Sequence, residues 1–116
     1  MGRLTTHVLD TANGQPGAGI TIELYRAGLH RERLAGAVTN SDGRCDRPLL
    51  EGEALAVGIY ELEFQVGEYF ARRGQGGPPP RFLDHVVIRF GIAAPNEHYH
   101  VPLLISPFSY TTYRGS

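Results

Sequence analysis

Two histidines one residue apart, His98 and His100, lie in the run Glu97-His98-Tyr99-His100-Val101-Pro102-Leu103-Leu104, and a third, His7, lies near the start of the chain. Imidazole titrates close to neutrality, so these groups suit general acid–base work or metal ligation. Spacing i, i+2 puts His98 and His100 on one face of a strand, where they could form a metal pair with His7 as third ligand. Arg44, in the run Asn40-Ser41-Asp42-Gly43-Arg44, carries a guanidinium able to bind two oxygens through parallel N–H groups. The chain closes on Tyr113-Arg114-Gly115-Ser116, which gathers a cation, a glycine, a hydroxyl and the terminal carboxylate. Chain ends fray unless something ties them down, and strand-forming residues precede this one. It is therefore expected to be held in a sheet and to be a candidate site. Each residue also has a plainer reading: a strand histidine is usually a core or surface residue, and a turn arginine a solvated charge. Tyr113 reads equally as an edge-strand aromatic. Cys45 has no base beside it in sequence and reads as a bystander, and His30 and His85 read as surface residues.

The elements that must carry these residues are strands. Ile20, Ile22 and Leu24 alternate with polar neighbours, as do Tyr60, Leu62, Phe64 and Val66, and Val86, Ile88, Phe90 and Ile92 share a face. Segments 4–10, 33–39, 98–106 and 109–115 complete seven or eight short strands. Asn13-Gly14, Asn40-Ser41-Asp42-Gly43 and Ala94-Pro95-Asn96 supply turns, and Gly14 to Gly19 read as a turn throughout. Residues 67–74 are the only candidate for a short helix. Gly76-Gly77-Pro78-Pro79-Pro80 must be an exposed loop, since three prolines remove three ladder donors. This pattern predicts an all-β two-sheet β-sandwich. In 4–10, Thr5, His7 and Leu9 face one way and Leu4, Thr6 and Val8 the other. In 98–104, His98, His100, Pro102 and Leu104 oppose Tyr99, Val101 and Leu103. Both faces of that second strand carry apolar residues, so both are expected to be covered, the histidine face by a second subunit.

Composition narrows the partners. The 116 residues suit one domain spanning 1–116. Hydrophobic residues make up 41% and charged residues 20%, a globular balance. Net charge is -1 with no run of Lys or Arg, which argues against nucleic acid or an anionic membrane as partner. No window approaches the ~20 apolar residues of a membrane span. The single cysteine cannot form an internal disulfide, and a cytoplasmic location is expected.

The ordered set His7-Val8-Leu9-Asp10, Gly14, Pro16, Asp42-Gly43-Arg44, Tyr60-Glu61-Leu62-Glu63-Phe64, the His98–Leu104 run, Ser106-Pro107 and Tyr113-Arg114-Gly115-Ser116 resembles the 5-hydroxyisourate hydrolases, the enzymatic relatives of transthyretin. The resemblance covers the whole chain, and the C-terminal tetrapeptide is what separates the hydrolases from the hormone carriers. It implies a transthyretin-like sandwich with one short helix, assembled as a homotetramer with sites where subunits meet. It also implies ring-opening hydrolysis of 5-hydroxyisourate, an intermediate of urate breakdown, with no metal or cofactor. The residues that match the family's functional positions are His7, Arg44, His100 and Ser116 for catalysis. His7, Arg44, His98, Tyr113, Arg114 and Gly115 match for substrate binding. The sequence departs from the family around Arg81-Phe82-Leu83-Asp84 and in the Gly/Pro loop before it, which bears on loop shape.

The implied reaction needs a base for water, donors for an oxyanion and contacts that fix a planar ring. His7 and His100 are each suited to the base, and the sequence leaves open which acts. Both are expected to stay neutral at pH 7 beside Arg44 and Arg114, because crowded cations disfavour further positive charge. The terminal carboxylate of Ser116 could orient an imidazole, and N–H groups near Gly115 could meet an oxyanion. The rivals are a carrier of a small aromatic ligand, a zinc hydrolase built on the three histidines, and an adhesion module that needs no inward histidine.

Overall fold

Alternation of apolar and polar residues settles the architecture, because each strand buries one edge of its pattern and leaves the other to solvent. The computed structural model describes residues 1–116. In chain order the strands are β1 (Arg3–Asp10), β2 (Gln15–Pro16), β3 (Thr21–Arg26), β4 (Glu32–Val38), β5 (Leu50–Glu51), β6 (Gly58–Phe64), β7 (Val86–Ile92), β8 (His98–Ser106) and β9 (Ser109–Thr112). A 3-10 turn, Gly52–Ala54, follows β5, and helix α1 (Val66–Arg72) follows β6. One sheet runs β2-β1-β8-β9, with β5 beside the start of β1, and the other runs β4-β3-β6-β7.

The expected two-sheet sandwich with one short helix is therefore observed, and its seven main strands fall close to where alternation put them, the last ending at Thr112 rather than 115. Two other features differ. Two-residue strands β2 and β5 are too short to show periodicity, and β2 lies inside the stretch read as a turn. Val66 does not extend β6 but opens α1, where Val66, Tyr69 and Phe70 are buried against the sheets. Its apolar character served the core in either geometry, so alternation alone could not tell the two apart.

The pairing that matters for the site is β1 with β8, the one parallel pair, in register from Arg3↔His98 through Thr5↔His100 to Asp10↔Ile105. Leu4, Thr6, Val8 and Asp10 are buried on one side of β1, and Tyr99, Val101, Leu103 and Ile105 on the same side of β8. The opposite face carries Thr5, His7, His98 and His100, all half-buried. A slip of one residue would turn every core side chain outward, so burial of the inner face dictates which residues stand together on the outer one. Thr6 is buried without cost because its hydroxyl donates to Val101 O at 2.7 Å.

β1 ends at a buried carboxylate. Asp10 Oδ1 accepts from the backbone N–H of Ala12 and Asn13, and its Oδ2 accepts from Asn13 Nδ2 and, at 2.7 Å, from the Tyr69 hydroxyl of α1. Burial alone would raise its pKa. The hydrogen bonds from Asn13, Tyr69 and Ala12 outweigh that and hold it below its ordinary value of 3.8. A depressed carboxylate stabilises the fold above its unfolded pKa and loses that contribution as pH falls through the folded value. Asp10→Asn is expected to lower stability at neutral pH by about 2 kcal/mol. Urea denaturation checks this: the deficit should shrink as pH falls below the ordinary value of 3.8 and on through the lowered folded pKa.

Candidate active site

The outer face of β1 and β8 forms the floor of a cleft of about 350 Å³, lined by Arg3, Thr5, His98 and His100 from the strands, Arg44 to Pro48 from the β4–β5 connection, and Ser116. Three local devices build it.

The first is the turn that carries Arg44. Asn40 Oδ1 accepts from the N–H groups of Asp42 and Arg44, and Gly43 N–H donates to Asn40 O, closing a tight loop. Gly43 has φ of 78°, and a Cβ there would lie 2.3 Å from Val8 O, so only glycine lets the loop press on β1. Val8 N–H donates to Gly43 O at 2.8 Å and a bridge joins His7 to Arg44. Arg44 Nε donates to Asp42 Oδ2 at 2.8 Å, which steadies the guanidinium while its two Nη groups make no protein hydrogen bond.

The second device is the tail. β9 pairs with β8 from Ser106↔Ser109 to Leu103↔Thr112, and the bridge His100↔Gly115 continues the same register. The ladder is interrupted between them where β8 offers Pro102, which has no N–H to give. Thr112 Oγ1 donates to Pro102 O at 2.8 Å, and Gly115 N–H donates to His100 O at 2.7 Å. A Cβ on Gly115 would sit 2.7 Å from His100 Cδ2, so the glycine lets the tail lie against the imidazole.

The third device is the histidine pair. Thr5 Oγ1 lies 2.8 Å from both His98 Nε2 and His100 Nδ1, and the two rings are 6.2 Å apart. The pKa of His100 is pushed below the usual value near 6.5, first by burial and then by the neighbouring charges of His98, Arg44 and His7. The ring is thus neutral at pH 7, as the crowding of cations implied.

Of the residues singled out in the sequence, Arg44, His98, His100 and Ser116 line one cleft, with Gly115 packed on His100. His7 stands on the same face of β1 at the margin, its Nε2–H donating to Asp42 O at 2.9 Å. Tyr113 and Arg114 turn the other way. Arg114 Nη2 donates to Glu97 Oε1 at 2.8 Å and the guanidinium stacks over Tyr99, and both residues line a separate groove beside Ile88 and Phe90. For Arg114 the physical reason is its register opposite Val101, set by the His100↔Gly115 bridge, combined with an acidic partner, Glu97, within reach on the far side. Alternation does not account for Tyr113, which lies outside the strand. Ser116 makes no hydrogen bond to either imidazole; the orienting group expected from its carboxylate is supplied by Thr5. Thr5, Arg3 and Arg47 were not singled out in the sequence. Thr5 carried a signal, since alternation already put it on the face of His7, whereas Arg3 and Arg47 are ordinary surface charges until the fold gathers them. Cys45 also borders the cleft, but burial and Asp46 raise its pKa and keep it a thiol. No group of three His, Cys, Asp or Glu side chains has the geometry to hold a metal ion.

The sequence and its fold have counterparts in known proteins. Residues 4–115 match the family model described as HIUase/Transthyretin family. A 5-hydroxyisourate hydrolase of Pseudomonas aeruginosa is 62% identical over all of this chain and 93% of its own length. The 5-hydroxyisourate hydrolase structure from Klebsiella pneumoniae superposes with a TM-score of 0.84 at 38% identity, covering both chains fully. An (S)-allantoin synthase structure matches with a TM-score of 0.93 at 48% identity over 99% of this chain, which spans 44% of the synthase.

Two outcomes are expected. In an NMR titration His100 should show a midpoint below 6.5, and Arg44→Gln should move it upward by removing one of the repelling charges. Gly115→Ala should displace the His100 ring, read as a shift in its Cδ2–Hδ2 resonance with the rest of the sheet unchanged.

Proposed function

We propose that this chain, which belongs to the HIUase/Transthyretin family, is a hydrolase that opens the ring of 5-hydroxyisourate in urate catabolism. One observation carries the reading: a neutral imidazole, His100, stands beside a guanidinium with free Nη groups in a cleft sized for a small planar substrate. His100 takes the proton of a water molecule as that water attacks the lactam carbonyl. Arg44 receives the negative charge developing on the carbonyl oxygen, a contribution of about 2.7–4 kcal/mol where a single donor meets an oxyanion. Arg3 and Arg47 make no hydrogen bond of their own to other side chains and are available to the polar edges of the substrate. His7, His98, Gly115 and Ser116 complete the binding surface. Tyr113 and Arg114 brace the tail in this protomer, Arg114 through its contacts with Glu97 and Tyr99.

The working unit is a homotetramer with the clefts at subunit interfaces. A parallel strand pair is normally covered on both faces, whereas here the face bearing Thr5 and His100 is only half-buried in one protomer. Leu9 and Leu104 share that face and suit a second copy. The protein acts as one domain in the cytoplasm. No helix is long and apolar enough to cross a membrane.

The test is decay of 5-hydroxyisourate, freshly made with urate oxidase and followed in the ultraviolet. The parent chain should accelerate it, and His100→Asn should lower kcat by at least about 100-fold, the usual weight of a positioned base. Decay at the spontaneous rate with parent protein, accompanied by tight retention of the ligand, would instead mark a carrier.

A further inference from the structure

The Thr5 hydroxyl is wedged between two imidazoles and makes no other hydrogen bond. Its neighbour Thr6 gives its proton to Val101 O, so the two adjacent threonines of β1 have different tasks. A hydroxyl owns one proton, so between two neutral rings it donates to one nitrogen and accepts from the other. Two arrangements satisfy both contacts. In the first, His100 Nδ1–H donates to Thr5 and Thr5 donates to His98 Nε2, which leaves His100 Nε2 bare and a proton on His98 Nδ1. In the second the polarity is reversed, with His98 Nδ1 bare and a proton on His100 Nε2. Either way one ring presents a base and the other an acid, and the hydroxyl forbids both from being the same.

We propose that Thr5 is a positioning residue that couples His98 and His100 into a complementary acid–base pair and passes a proton between them during ring opening, an inference that rests on the hydrolase reading above. Starting from the first arrangement, water bonds to the carbonyl carbon and its proton goes to His100 Nε2. The His100 Nδ1 proton moves to Thr5 Oγ1, and the proton of Thr5 moves to His98 Nε2. The His98 Nδ1 proton then goes to the ring nitrogen as the C–N bond breaks. One proton enters the chain of groups and one leaves it, so no net charge accumulates on either ring. The half-buried His100, whose surroundings disfavour its charged form, never has to hold an imidazolium through the step. The in-register Thr5↔His100 pairing puts the hydroxyl on the histidine face in the first place.

The experiment compares the parent with Thr5→Val, which keeps the shape and removes the hydroxyl, and with Thr5→Ser, which restores it. Nitrogen-15 NMR of the folded, substrate-free proteins reads the tautomers of His98 and His100, and steady-state assays read kcat and KM. The same tautomer on both rings, both Nδ1–H or both Nε2–H, is expected in the parent and in Thr5→Ser, and loss of that match in Thr5→Val, because Thr5 meets one ring at Nε2 and the other at Nδ1. With it, kcat should fall about 10- to 100-fold while KM stays within about threefold, and Thr5→Ser should recover most of the rate. Unlike tautomers in the parent, one ring Nδ1–H and the other Nε2–H, or a Thr5→Val kcat within about threefold of the parent, overturns the proposal. Matching tautomers lost on removing the hydroxyl, in a parent that turns over no 5-hydroxyisourate, would uphold the coupling and sink the hydrolase reading instead.

Discussion

The parallel register between β1 and β8 is the constraint from which the site follows. These strands are far apart in sequence, the intervening chain forms the second sheet, and their alignment is imposed by what they bury. Leu4, Val8, Tyr99, Val101 and Leu103 must face the core, so Thr5, His98 and His100 must share the other face. No separate device is needed to bring the hydroxyl between the rings. Hydrophobic burial, which has no chemical specificity of its own, thus positions polar groups to within hydrogen-bond distance.

Two backbone irregularities then complete the cleft. Gly43 lets a surface turn touch the β1 backbone and swings Arg44 over the strand. Pro102 opens the β8–β9 ladder, and Gly115 closes it again one side chain's thickness from His100. In both places the absence of an atom, a Cβ or an amide proton, decides where a functional side chain sits. The same glycine explains why the tail is ordered although its last residue is exposed: a backbone hydrogen bond anchors it from inside the sheet.

Electrostatics in the cleft are arranged around arginines that keep spare N–H donors. Arg44 spends one nitrogen on Asp42, and Arg3 and Arg47 spend none on side chains, while on the outer face of the other sheet Arg31, Arg33 and Arg89 are each paired with a glutamate. Burial first, and then His98, Arg44 and His7, lower the pKa of His100, while the free N–H groups of the arginines attract electron-rich oxygens. Arg114 shows the contrast. Its bond to Glu97 and its stacking on Tyr99 consume it structurally, so the most conspicuous cation of the chain's end braces the tail while Arg44 serves the cleft.

Much of this was legible without coordinates. Period-two patterning disclosed the strands and their faces, and the order of short motifs from His7 to Ser116 disclosed the family and, through it, Arg44, His100 and the tail. Patterning could not distinguish a helix from a strand at Val66, nor reveal strands of two residues such as β2 and β5, because neither offers a full period. It could not assign Thr5, Arg3 or Arg47, whose chemistry is ordinary until neighbours arrive, and it aimed Arg114 at the cleft because a sequence does not show which acid will capture a guanidinium. The chain by itself determined which residues alternate, where it turns and which reactive groups it owns, since these depend on local chemistry. Only the tertiary structure decided which of those groups meet, because that depends on the register of strands ninety-odd residues apart and on the exclusion of water from the face between them.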